Sequence, residues 1–313
     1  MSVLCSDEDF TDESSIRFLS AEQAAGVLAE RDAFVKQLSP FDRQVRLQTE
    51  RAVDEDEFIR FVASQAVEWQ ESDQRQVETA MRILGEKLSG FDLPLPAEIQ
   101  FVSTTGREEA GAAYTRGNAI ILPRSRIPKT DAQLERLLTH ELFHIISRSS
   151  SSFRDRTYAV IGFVPCHPIR LPSELEDLRI TNPDCPLINA RIRISRKGQT
   201  LDLAPILFSS TTYDATKGGS VFDYLTFRLM VIERRGADWL PQDGTRDTTL
   251  LEYTDVAEFQ KKIGRNTSYV IHPEETMADN FVHLIHGTPG LPDPWIVEAM
   301  RRTLTTISNK DDR

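Results

Sequence analysis

The chain has 313 residues, of which 40% are hydrophobic and 27% charged, ordinary proportions for a globular protein with a core to bury. A net charge of −11 sets it against nucleic-acid backbones and anionic membranes as principal partners, and no apolar run nears the ~20 residues of a membrane helix. The acidic opening MSVLCSDEDFTDESS is the opposite of a secretory or mitochondrial leader, and three scattered cysteines (Cys5, Cys166, Cys185) fit a reducing compartment, so a cytoplasmic location is expected.

Residues 15 to about 90 read as helical. SAEQAAGVLAERDAFVKQL opens with a capping box, Ser20 with Gln23, and Pro40 follows its end. DEDEFIRFVASQAVEWQ and DQRQVETAMRILGEKL repeat apolar residues at helical spacing, and Gly90 follows the second. From LPLPAEIQFVSTT the texture changes. Residues 97–104 alternate as a strand does, and GAAYTRGNAIILP reads as a hairpin turning at Arg116-Gly117-Asn118. A helix carrying LLTHELFHIIS follows, with Thr130 and Gln133 spaced as another capping box, and the SRSSSS tract after it reads as a surface loop. Residues 151–253 read as loops and strands, among them NARIRIS, the turn RKGQ, LDLAPILFSS and FDYLTFRLMVIE. Helical periodicity returns in DVAEFQKKIG, PEETMADNFVHLIHG and DPWIVEAMRRTLTTIS. The expected fold class is α+β, with a helical N-terminal region over 1–92 and a second region over 93–313 that holds a β-rich insertion at 151–253.

His140, Glu141 and His144 lie in one of the most apolar stretches of the chain, where such side chains need compensation. Histidines four apart share a helix face, about 40° and roughly 6 Å from each other, so both imidazoles can converge on one zinc ion. Glu141 points somewhat round from them, poorly placed as a ligand but well placed to touch water at the metal. The competing reading makes the histidines hydrogen-bonded core residues, with Glu141 paired to an arginine such as Arg148.

Hydrolytic zinc takes three protein ligands and keeps one position open. Glu275 in HPEETMADNF is the strongest third ligand: with Asp279 it presents two carboxylates on one helix face, while Met277, Phe281 and Leu284 turn towards a core. Asp279 can accept the other ring N–H of a ligating histidine, and Pro273 suits a first helical turn. Glu274 is a weaker ligand candidate, since its i+4 neighbour is Ala278. His167 and Cys166 in PCHPIRLP are rivals ranked below Glu275, and His283 and His286 read as surface or core-edge residues.

The pair of motifs, His140-Glu141-Leu142-Phe143-His144 and Glu275-Thr276-Met277-Ala278-Asp279, resembles the gluzincin, thermolysin-like metallopeptidases. The resemblance covers about twenty residues. It implies a zincin-like catalytic fold with Zn²⁺ held by His140, His144 and Glu275. It also implies that Glu141 is the general base and that Asp279 steadies a ligand histidine. The hairpin ahead of the HExxH helix is similar to the substrate-aligning edge strand of zincins. The chain departs from thermolysin-like enzymes in placing about 130 residues between His144 and Glu275, which a β-rich insertion or lid must fill.

Tyr269 and His272 precede the presumed ligand and are candidates to stabilise an oxyanion, with Tyr158, Tyr213 and Tyr253 as further tyrosines. The expected function is a zinc-dependent metallopeptidase acting on a peptide or protein substrate, in which Glu141 takes a proton from zinc-bound water and passes it to the leaving amine. The alternative is a zinc-binding protein of the same architecture that hydrolyses another amide or only binds. A helical interaction protein without metal is a third class.

Overall fold

A computed structural model describes residues 8–11, 14–128, 130–244 and 249–305. Among them the architecture is α+β, with two sheets and a layer of helices between and around them. No helix among the described residues is long and apolar enough to cross a membrane.

The chain begins in strands. β1 (Glu8–Thr11) and β2 (Ser14–Phe18) form an antiparallel pair, and β2 runs parallel to β3 (Glu98–Thr104) with Ile16 opposite Ile99 and Phe18 opposite Phe101. The helical reading of residues 15–18 is therefore corrected. Alternate burial of Ser14, Ile16 and Phe18 is the period of two that a half-buried strand requires. Five helices follow, α1 (Ala21–Leu28), α2 (Ala33–Gln37), α3 (Pro40–Leu47), α4 (Glu55–Ala63) and α5 (Glu71–Leu88). The Ser20–Gln23 capping box forms as expected. The single helix expected up to Pro40 instead breaks in two, because the Asp32 side chain accepts from Val35 N and starts α2, while Pro40 opens α3 at its first turn behind the Ser39 cap.

β4 (Tyr114–Arg116) and β5 (Ala119–Pro123) form the expected hairpin around Gly117-Asn118. β5 runs parallel to β3, which completes the order β1-β2-β3-β5-β4 and leaves β4 on an edge. α6 (Asp131–Ser149) carries the two histidines. Its expected capping box is absent: the Thr130 hydroxyl donates to the Gln133 side chain instead of accepting from the helix backbone. The serine tract is not a loop either. Ser150 accepts from Phe153 N and caps α7 (Ser151–Val160), a helix within the segment expected to hold only loops and strands.

The remainder of that segment is β-rich. β6 (Phe163–Pro165), the short helix α8 (Ser173–Glu176), β7 (Ala190–Arg196), β8 (Gln199–Ser209), the short helix α9 (Val221–Tyr224), β9 (Leu225–Arg235) and β10 (Asp238–Pro241) follow in chain order. Their strands pair antiparallel in the order β10-β9-β8-β7-β6, and β11 (Leu250–Leu251) adds to β9. The RKGQ turn joins β7 to β8 with Lys197 and Gly198 both at positive φ, the geometry that matches strand twist in a two-residue hairpin. Three helices close the chain: α10 (Ala257–Ile263), α11 (Pro273–Ile285) and α12 (Pro294–Thr305). The last part of DPWIVEAMRRTLTTIS, residues 306–308, and Cys5 lie outside the described residues.

One apolar cluster runs from Phe10 through α5, β3, α6 and α11 to Leu304, so the first strands and the last helix share a core. α6 packs against α5, α11, α7 and the β4–β5 hairpin. A buried ion cluster ties α3 to the turn ahead of β4 and to the loop between α8 and β7: Arg46 Nε donates to Glu109 Oε1 (2.6 Å), its Nη1 to Asp42 Oδ1 (2.7 Å) and its Nη2 to the Thr181 carbonyl (3.1 Å).

Candidate functional site

The antiparallel pairing of α6 with α11 builds the site. Leu138, Leu142, Phe143, Ile145 and Ile146 bury most of α6, and Met277, Phe281 and Leu284 bury one side of α11, as the apolar spacing requires. The polar faces left between them carry His140 and His144 on one side, Glu274, Glu275 and Asp279 on the other. The imidazoles meet edge to face with ring centres 4.8 Å apart.

Each histidine turns Nε2 to the same oxygen. Glu275 Oε2 lies 3.2 Å from His140 Nε2 and 3.6 Å from His144 Nε2. Each Nδ1 is taken up by a different carboxylate, His140 by Asp279 Oδ1 and His144 by Glu274 Oε1, both at 3.0 Å. Those carboxylates are held in turn: Glu274 Oε2 accepts from Ser147 Oγ (2.7 Å) and Tyr158 OH, and Asp279 Oδ2 from Thr267 Oγ1. Asn182 Nδ2 donates to Glu275 Oε1 at 2.5 Å. His140, His144 and Glu275 thus offer three ligand atoms within 4.8 Å of one another.

The residues fit a cation on two further counts. Among the described residues His144 Nε2 and Glu141 Oε2 are buried without a hydrogen-bond partner, an arrangement that folding alone does not favour. Five carboxylates, of Glu141, Asp184, Glu274, Glu275 and Asp279, surround two imidazoles. Burial and the nearby Asp184 push the Glu141 carboxyl up to about 7. Burial works against ionising Glu275 too, but His144 and His140 draw it down to about 2. Burial likewise opposes charge on His144, which Asp184 and Glu275 nevertheless raise to about 9. Two imidazoles plus one carboxylate, each imidazole steered by a second carboxylate, are a donor set that could hold a metal ion such as zinc, and one side of the group is open.

That side faces a cleft of about 700 Å³ lined by His140, Glu141, Asp184, Phe222, Tyr269 and Asp279. Tyr269 is 37% exposed, with its ring 6.4 Å from that of His140, so its hydroxyl is reachable from the cleft. His272 is not on the cleft: it caps α11, with Nδ1 accepting from Glu274 N, and burial lowers its pKa to about 4. Tyr158 serves Glu274, while Tyr213 packs on Tyr224 and Tyr253 on Phe227.

Other expectations are corrected. Arg148 does not pair with Glu141; its Nη1 donates to the Gly117 carbonyl and its Nη2 to Thr115 Oγ1. His167 is exposed beyond β6, outside the potential ligand groups among the described residues, and Cys166 packs against the apolar cluster under the second sheet. His283 bonds Thr288 and the Asn266 carbonyl, and His286 bonds Thr139, so both sit at the core edge as expected. Glu274, read as a weak ligand, is the acceptor for His144. Sequence reasoning missed Ser147, Asn182 and Asp184 and read Tyr158 as an oxyanion candidate where it is a donor to Glu274; Ser147 stands one helical turn after His144 and was open to discovery on that ground. Comparison with protein families, with curated proteins and with solved structures finds no match for this chain.

Proposed function

We propose that this chain is a zinc-dependent metallopeptidase of gluzincin-like, zincin-type architecture. The observation that carries the reading is the convergence of His140 Nε2, His144 Nε2 and Glu275 Oε2, with each histidine's Nδ1 fixed by its own carboxylate. His140, His144 and Glu275 would hold the metal, which when bound supplies Lewis acidity to water and to a carbonyl oxygen.

The chain's own groups supply the rest. Glu141 Oε2, buried and without a partner, accepts a proton from the attacking water and delivers it to the leaving amine. Tyr269, from the cleft wall, can donate to the oxygen that gains charge as the carbonyl is attacked. Asp279 and Glu274 keep both histidines with their protons on Nδ1, so that Nε2 stays free to ligate.

The test joins metal analysis with proteolysis. Purified protein is expected to hold about one zinc per chain and to cleave a mixed peptide pool in a chelator-sensitive way. Glu141→Gln is expected to retain zinc and lose roughly 10²–10⁴-fold in turnover. Undiminished cleavage by that variant, or a protein that takes up no zinc, overturns the proposal.

A further inference from the structure

The edge strand β4 is not free. In antiparallel pairing, alternate residues of an edge strand turn their amides outward, where another extended chain can bind. Thr115 is such a residue, and its N–H donates to Asp184 Oδ1 at 2.8 Å, with its hydroxyl donating to the same oxygen at 2.6 Å. The carboxylate of Asp184 also lies with Glu141 and His144 in a second cluster of ligand atoms within 4.8 Å of one another. Both of those residues have a buried, unpartnered atom there, Glu141 Oε2 and His144 Nε2. Two residues earlier, Asn182 reaches the remaining oxygen of Glu275.

The segment is pinned on both sides of Asp184. Thr181 N donates to Asp42 Oδ1 (3.1 Å) and its carbonyl accepts from Arg46, Arg148 donates to the Asp184 carbonyl (3.3 Å), and Arg179 donates to the Pro186 carbonyl. Asp184 also lines both the cleft at His140 and a neighbouring cavity walled by Ile180, Leu207 and Ile271.

We propose that the segment Thr181–Pro186 is the groove's resident occupant, an internal pseudosubstrate that a peptide must displace before pairing with Thr115 on β4. The inference rests on the metallopeptidase reading for the identity of the displaced ligand, an extended peptide. The occupant's carboxylate oxygen takes the hydrogen bond that a substrate carbonyl would accept from the Thr115 amide. A site covered in this way binds external peptide only in the fraction of molecules whose segment has lifted, and apparent affinity falls by that fraction.

The experiment measures binding of a fluorescein-labelled random hexapeptide pool by anisotropy, in full-length protein carrying Glu141→Gln so that nothing is cleaved. Adding Asp184→Ala is expected to tighten binding about tenfold or more, the return from freeing a site open in a tenth of molecules or fewer. The gain is expected in both zinc-loaded and chelator-treated protein, because the freed amide belongs to β4. If the alanine chain does not fold, Asp184→Asn carries the test: it keeps volume and one acceptor but removes the charge, and is expected to tighten binding less. Unchanged or weaker peptide binding in the folded variant overturns the proposal, whatever its zinc content. A protein that binds peptide more tightly after the substitution but takes up no zinc upholds the occupant and overturns the metallopeptidase reading instead.

Discussion

His144 Nδ1 and Glu274 Oε1 face each other at 3.0 Å across the α6–α11 interface, both almost fully buried. This pairing makes Glu274 the orienting group for His144, a ligand in the proposed zinc site, and burial keeps bulk solvent from taking its place. Glu274→Gln, which keeps size and offers an amide where a carboxylate stood, is expected to weaken zinc binding roughly 10–100-fold in a competitive titration. Unchanged affinity removes Glu274 from the site.

Asp279 does the same for His140 but with its side chain 31% exposed, against 3% for Glu274. Asp279→Asn is expected to fold normally and to weaken zinc binding towards the low end of the roughly 10–100-fold range, since water can substitute in part. A loss exceeding that of Glu274→Gln contradicts this ordering.

The Arg46 cluster offers a stability test away from the cleft chemistry. Arg46→Met leaves Asp42 and Glu109 as buried carboxylates facing each other without their cation. The expected cost is about 3–5 kcal/mol in denaturant unfolding, the usual result of removing one partner from a buried ionic cluster. A loss below about 1 kcal/mol shows that the carboxylates find other compensation.

His286 supplies a pH dependence. Burial, with Lys87 beside it, lowers its pKa from 6.5 to about 4. Between those two values the unfolded chain takes up a proton that the folded chain refuses. This contribution to stability is therefore complete above about pH 6.5 and lost as pH falls towards 4. His286→Gln is expected to reduce the stability difference between pH 7 and pH 5 by about 1 kcal/mol, a figure discounted because the ring is partly exposed. Parallel pH profiles for the two proteins count against it.

Much of the site could be read from the residues because its spacing is helical. His140 with His144, and Glu275 with Asp279, are each one turn apart, and one turn is the distance at which sequence separation translates directly into shared position. Glu274 was read only as a weak ligand candidate, because its partners lie on other elements, α6 and α7, and nothing in its own helix announces them. Asn182 and Asp184 escaped for a stronger reason: they stand in a segment with no periodicity, held by Arg46 and Arg148 from two distant parts of the chain and by the neighbouring Arg179. The fold follows the same rule. The β4–β5 hairpin and the β7–β8 turn were legible as local signals, whereas β2 owes its state to a parallel neighbour more than eighty residues on. The helix α7 was hidden by serines, one of which is its cap.

The separation of 135 positions from His140 to Glu275 also bears on how the protein is made. At about 5–20 residues per second of synthesis, roughly 7–27 seconds separate the emergence of the two histidines from that of the carboxylate facing them. During that interval α6 has its imidazoles but not the helix that orients them, while the strands of the intervening antiparallel sheet emerge. The complete donor set is thus a late product of folding, and a nascent chain offers at most a weak, two-histidine grip on any metal it meets.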